Sequence, residues 1–174
     1  MKREDEACDR ALVAIAQGKK EALDVIYTTY GRMICSAAYQ ILRSTEDAED
    51  VLQDVLIRVG ENAFRYTPHS NPRAWVMSIA KNITLDLLRK RHGEISLEEM
   101  PPHESLEAKG YDSEEMILLR DSLQALSPEE RLIVNLKTYA GLSHKEIADV
   151  LKITPEGAQK RYERAIGKLR KYFS

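Results

Sequence analysis

The stretch from Thr45 to His92 constrains the fold more than any other, because two helical stripes of opposite charge follow one another across a single break. In Asp47-Ala48-Glu49-Asp50-Val51-Leu52-Gln53-Asp54-Val55 and just beyond, Ala48, Val51, Leu52, Val55, Leu56 and Val59 recur every three or four residues, which is the spacing of one helix face. Asp47, Asp50 and Asp54 fall together on the other face. After the break at Thr67-Pro68-His69-Ser70-Asn71-Pro72, a second stripe of Trp75, Ile79, Ile83 and Leu87 runs along a helix that ends in Arg89-Lys90-Arg91. Asn71-Pro72 fixes where that helix starts: a capping residue is followed by a proline at the first helical position, where a missing N–H costs nothing. One helix offers anions and the next offers cations. Two partners of opposite charge are the simplest explanation, and the basic one suits a phosphate backbone.

The net charge of −2 hides the same segregation along the whole chain. Residues 1–60, 61–92, 93–130 and 131–174 carry −3, +4, −9 and +6. Two basic segments separated by an acidic one can touch nucleic acid at two places while the connector is repelled from it. An aromatic share of only 6% suits small helical units packed by Leu, Ile, Val and Ala.

Around the central stretch the pattern stays helical. Ala11, Leu12 and Ile15 predict a short helix from Asp9 to Gln17 that stops at Gly18. From about Lys20 to Leu42, Leu23, Ile26, Tyr30, Met33, Ile34, Ala37, Ala38 and Ile41 form a broad apolar face. Ser44-Thr45-Glu46-Asp47 then supplies a cap and an acidic first turn. Three or four helices thus fold residues 1–92 as a bundle. Residues 93–112, with Pro101, Pro102, Gly110 and several glutamates, have no sustained period and form a flexible acidic linker.

A second helical domain spans 113–174, opening on the apolar face of Met116, Leu119 and Leu123. Ser127-Pro128-Glu129-Glu130 combines a cap, a first-position proline and a capping-box glutamate; Ser143 and Glu146 repeat that spacing, and Thr154-Pro155 starts the last helix. Gly141 closes one helix, and Glu146 to Leu151 followed by Lys152-Ile153-Thr154 has the helix, tight turn, helix spacing of a major-groove reader. On the last helix, Ala158, Tyr162, Ala165, Ile166 and Leu169 face inward and leave Gln159, Lys160, Glu163, Arg164 and Lys168 outside. The fold class is therefore all-α: two small helical domains on an acidic strap.

Several classes are disfavoured. No apolar run reaches the roughly 18 residues of a membrane span and the N-terminus lacks a signal-peptide core, so membrane insertion is not expected and the cytoplasm is the default location. Cys8 and Cys35 make neither a disulfide framework nor a zinc site. His69, His92, His103 and His144 lack metal-ligand spacing and no glycine-rich phosphate loop occurs, so no catalytic residue, metal or cofactor is assigned and an enzyme is not expected.

Two runs carry a family resemblance. DAEDVLQDVLIRV followed by NPRAWVMSIAKNITLDLLRKR resembles the second conserved region of extracytoplasmic-function sigma factors, the promoter-specificity subunits of bacterial RNA polymerase. LSPEERLIVNLKTYAGLSHKEIADVLKITPEGAQKRYERAIGKLRKYF is similar to their fourth region, a helix-turn-helix. The resemblance implies that Asp47, Asp50, Gln53, Asp54 and Arg58 meet the clamp of the largest polymerase subunit. It places a pocket for a flipped base of the minus-ten element beside Asn82, with Lys81, Arg89, Lys90 and Arg91 on phosphates. It sets Gln159, Lys160, Glu163 and Arg164 against the minus-thirty-five element, with Arg161 near the backbone. Trp75, on the apolar stripe, is assigned to packing rather than base stacking. The resemblance also implies an anti-sigma protein as a further partner.

Two positions depart from the family pattern: Lys152 stands where the turn commonly has glycine, and Glu156-Gly157-Ala158 replaces Gly-Thr-Val. The resemblance implies a protein that binds core polymerase, recognises promoter DNA and helps open it. The alternative is a stand-alone helix-turn-helix regulator that binds duplex DNA without polymerase.

Overall fold

The computed structural model of the chain describes residues 3–92, 122–123 and 125–171. Among them the chain forms seven α-helices and no strand: α1 (Arg3–Ala16), α2 (Leu23–Leu42), α3 (Thr45–Asn62), α4 (Pro72–His92), α5 (Pro128–Thr138), α6 (His144–Leu151) and α7 (Pro155–Arg170). The acidic linker at 93–112 and the start of the second domain at 113 lie outside the described residues.

Helix α1 begins at Arg3, well before the Asp9 that its apolar spacing marks. Glu4, Asp5 and Glu6 in its first turn complement the positive end of the helix dipole. Asp5 also accepts hydrogen bonds from Tyr30 Oη at 2.7 Å and Arg73 Nε at 3.1 Å, so tertiary contacts hold a turn that has no apolar signal. Helix α2 is the hub of the first unit. Its Ile26, Tyr30, Ile34, Ala38 and Ile41 are buried against Val51, Val55 and Val59 of α3 and Val76, Met77 and Ala80 of α4.

The stripe expected to be the core face of α4 is displaced by one position. Val76, Met77, Ala80, Thr84 and Leu88 are the buried residues, whereas Trp75, Ile79, Ile83 and Leu87 are half-buried beside a groove. The reason is that α4 has apolar residues on more than one side: it meets α2 and α3 within its own unit and α6 of the other. A single 3.6-residue stripe cannot describe a helix buried from two directions.

The caps form where the sequence places them. Ser127 and Ser143 each accept from the backbone N–H three residues on, at 3.2 Å, while Glu130 and Glu146 reach back to the cap N–H, completing two capping boxes. Asn71 Oδ1 accepts from the N–H of Ala74 at 2.8 Å ahead of α4, and Thr154 Oγ1 accepts from Gly157 at 3.0 Å ahead of α7. Leu132, Ile133, Leu136, Leu142, Ile147, Val150 and Ala158 make the core of the second unit.

The two units dock on each other, α5 against α2 and α6 against α4, and the apolar core is continuous across them. Arg73, buried on α4, donates to the carbonyl of Ala140 at 2.6 Å, and the Asn71 amide donates to Glu146.

Lys152 closes α6 with φ +59°, the left-handed cap conformation that a residue with a Cβ adopts at a cost. Replacing Lys152 with glycine is expected to raise the unfolding free energy by about 1 kcal/mol, read from the urea or thermal midpoint.

Candidate nucleic-acid interface

The acidic face survives in part. Asp50, Gln53, Asp54 and Arg58 are exposed along one side of α3, beside an exposed Ile57. Between this side and α4 runs a shallow pocket of about 450 Å³ lined by Asp50, Asp54, Ile57, Arg58, Glu61, Ile83, Asp86, Leu87 and Lys90. An apolar floor rimmed by carboxylates suits a helical partner that carries arginines.

Asp47 does not join that face. It is only 7% exposed and holds Arg91 through both carboxylate oxygens, tying the start of α3 to the end of α4. The Arg91 guanidinium, with help from Ser44, holds the Asp47 carboxyl below the usual carboxylate range despite burial. One residue expected to meet polymerase and one expected to meet DNA are thus engaged with each other. Periodicity missed this because it places Asp47 on a face without saying what crosses that face.

The second site is a pocket of about 400 Å³ where the end of α3 faces the first half of α4. Trp75, Ser78, Ile79, Asn82, Ile83 and Asp86 of α4 line it, together with Arg58, Asn62 and Arg65. Asn82 is exposed at this pocket, with an amide that can both donate and accept. Trp75 is half-buried and meets the Tyr66 ring edge-on at 5.5 Å between centroids, so it packs and forms pocket wall at once. Arg58, Asn62 and Arg65 recur at four and three residues, a spacing that marks one face and could have revealed the cationic side of the pocket.

The loop before α4 is held from beneath. Buried Asp9 accepts from Tyr66 Oη at 2.6 Å and from the backbone N–H of His69 at 2.7 Å, and the His69 ring lies 3.5 Å away. The Tyr66 hydrogen bond keeps the Asp9 carboxyl low against the opposing effect of burial. His69 has φ +61°, so the loop needs these anchors to hold its turn.

The other basic candidates of α4 scatter. Lys81 is half-buried on the side facing α6; burial, reinforced by Lys152, lowers its pKa. Arg89 is exposed and pairs with Asp86 at 3.1 Å, and Lys90 belongs to the acidic groove.

On α7, Gln159, Lys160, Glu163 and Arg164 are exposed, and the Gln159 amide donates to Glu163 at 2.9 Å. Arg161 pairs with Glu129, and Lys168 with Glu130 at 2.8 Å, so both tie α7 to the start of α5. An amide and a guanidinium on one exposed helix face can make paired hydrogen bonds to adenine and guanine edges.

Two family models match the chain. Sigma-70 region 2 matches residues 26–94, and Sigma-70, region 4 matches residues 116–169. The RNA polymerase sigma factor CarQ of Myxococcus xanthus is 30% identical over 156 residues, which is 88% of this chain and 90% of CarQ. The chain belongs to the extracytoplasmic-function sigma factors. The sigma factor SigW of Bacillus subtilis is 25% identical over 171 residues, 90% of this chain and 91% of SigW. In fold, the sigma factor is similar to CnrH, solved in complex with the cytosolic domain of CnrY (TM-score 0.71, 22% identity, 96% and 97% of the two chains). It is likewise similar to RpoE of Bartonella quintana, solved in complex with the anti-sigma factor NepR (TM-score 0.63, 21% identity, 80% and 89% of the two chains). Its function is that of an RNA polymerase sigma factor, with core polymerase and promoter DNA as partners. Sigma factors are initiation factors and not enzymes. Among the described residues no helix is long and apolar enough to cross a membrane.

The Asp47–Arg91 pair has a pH signature. Because the Asp47 pKa is depressed in the fold, its contribution is present above the unfolded carboxylate pKa of about 4 and is lost as pH falls through the lower folded value. Asp47→Asn is expected to lower stability by about 1 to 2 kcal/mol at neutral pH and to flatten the loss of stability of the native chain below about pH 4, measured by urea unfolding across pH.

Proposed function

We propose that residues 1–92 of this sigma factor hold core polymerase and the minus-ten element, that 93–112 is the connector, and that 113–174 reads the minus-thirty-five element. In this reading the exposed side of α3, with Asp50, Gln53, Asp54 and Arg58, docks on the polymerase clamp. The unpaired base enters the pocket of Trp75 and Asn82, and Arg58 and Arg65 neutralise the phosphates flanking it. Gln159, Lys160, Glu163 and Arg164 enter the major groove, while Lys81, Arg89 and Lys90 supply further phosphate contacts and Arg161 supports α7 near the backbone. The observation that carries the reading is the adjacency of the two pockets: an acidic groove and a cation-lined base-sized pocket lie side by side between α3 and α4 and share Arg58, Ile83 and Asp86. A stand-alone duplex-binding regulator needs neither.

The chain acts without catalysis, in the cytoplasm. An anti-sigma protein that covers the α3 side is part of this reading, supported by the complexes in which CnrH and RpoE were solved.

The docked arrangement carries a geometric consequence. The names of the two promoter elements set them about 25 base pairs apart, which at about 3.4 Å per pair is roughly 85 Å of duplex. With α6 packed on α4, the two DNA-reading units are contiguous and cannot span that length. The units separate before both elements are held.

Asp50→Arg is expected to abolish comigration with core polymerase in a pull-down while leaving the circular dichroism melt unchanged; a variant that still comigrates would remove the docking assignment. Asn82→Ala is expected to weaken holoenzyme binding to a template with an unpaired minus-ten strand by about tenfold, the scale of a lost base-edge contact, with core binding intact. Equal binding of unpaired and fully duplex templates by the native holoenzyme would remove the pocket assignment.

A further inference from the structure

The seam between α2 and α5 is built unlike the rest of the domain interface. Ser36 and Gln40 lie one turn apart on α2 and Arg43 is its left-handed C-cap, while Arg131 and Asn135 lie one turn apart on the facing α5, with the Arg43 charge close enough to act on Arg131. Asn135 Nδ2 donates to Ser36 Oγ at 2.6 Å and fixes the register of the two helices. Beyond that bond the seam is unsatisfied. Gln40 Oε1, Asn135 Oδ1 and all three guanidinium nitrogens of Arg131 are buried with no hydrogen-bond partner among the described residues.

Arg131 is 1% exposed. Burial, with a smaller effect from the like charge of Arg43, lowers its pKa to about 10, so the guanidinium is still protonated at neutral pH. A charge that has given up its water and gained no partner opposes the contact that buries it. The contrast with Arg73 is direct. Arg73 is also buried where the two units meet, yet its nitrogens donate to the Ala140 carbonyl at 2.6 Å and reach Asp5 at 2.9 and 3.1 Å. One arginine fastens the docked units, and the other works against them.

We propose that Arg131 is a positioning residue that keeps the docked units only marginally associated, so that the α2–α5 seam gives way when promoter and polymerase require the open chain. Separation returns water to the guanidinium and takes it away from Arg43, a gain that exists only on opening. An apolar side chain of similar length at 131 would bury as well as its neighbours Leu132 and Ile133 and would favour docking throughout. The inference rests on the reading that the units separate before both promoter elements are held.

The test uses the full-length chain labelled with a fluorophore pair at the exposed positions Glu21 and Lys145, free of polymerase, with energy transfer reporting the docked fraction. Arg131→Met is expected to raise the docked-to-open ratio by about fivefold or more, the change seen when a buried charge is replaced by a packed apolar group. A charge swap separates this role from simple packing. Arg131→Glu and Arg43→Glu each place opposite charges across the seam and are expected to raise the docked fraction, and the double variant, with like charges restored, to return it to the native value. Arg131→Lys keeps the charge and is expected to leave the ratio within about twofold of native, which guards against a Met variant that fails to fold. A docked fraction that falls or stays level in Arg131→Met, or single and double Glu variants that behave alike, would overturn the proposal. The seam result needs no polymerase, so it stands or falls independently of the Asp50→Arg pull-down that tests the functional reading.

Discussion

Helix α4 has to be buried from two directions while leaving a third side polar, and most of the architecture follows from that demand. Its Val76, Met77, Ala80 and Leu88 are buried in the continuous core, α6 covers a further part, and Asn82 stays exposed on the remaining side. Fully burying an aliphatic side chain is worth about 1.5 to 3 kcal/mol, so these contacts set the rotation of the helix and every polar residue on it inherits its direction. Asn82 reaches the pocket because its neighbours are fixed, and its own hydrogen bonds play no part in aiming it. The half-buried Trp75, Ile79 and Ile83 complete the arrangement as apolar walls of the pocket beside Asn82.

Buried polar groups then hold the loop that leads into α4, where apolar packing has little purchase. Asp9 gathers Tyr66 and His69, Asp5 gathers Tyr30 and Arg73, and both carboxylates come from α1, a helix that contributes no residue to either α3–α4 pocket. The hydroxyls of Tyr30 and Tyr66 both have their pKa values raised, first by burial and then by the carboxylate each one donates to, which keeps them as donors. A loop pinned by charged acceptors has less freedom to lose when a ligand arrives, so preorganisation is what α1 supplies to the site.

The sequence made the helices legible where local chemistry decides them. Ser127, Ser143, Asn71 and Thr154 announce their helices because a cap is a contact between residues three apart, and the structure forms each one. Burial was less legible. Asp47 shares a period with Asp50 and Asp54, yet only the end of α4, more than forty residues on, decides that it is covered and paired. Lys81 looks like a phosphate ligand until α6 comes to lie beside it, and Arg131 looks like an ordinary helix residue until α2 closes over it. In each case the sequence fixes the side of the helix, while the neighbour on that side comes from a distant part of the chain.

Charge explains how a chain with net −2 can serve a polyanion at all. At physiological salt the screening length is about 8 Å, shorter than a small helical unit, so DNA senses each segment by itself and not the sum. The basic segments 61–92 and 131–174 are attracted where their side chains are exposed, and the first unit also presents exposed carboxylates of α3. Docking sets some of this charge against itself: Lys81 lies near Lys152 and Arg131 near Arg43, cation against cation at both seams. Three of these four cations, Lys81, Arg131 and Lys152, belong to the two basic segments. Separating the units relieves both contacts and leaves the charges for the polyanion, so opening and DNA binding draw on the same electrostatic free energy.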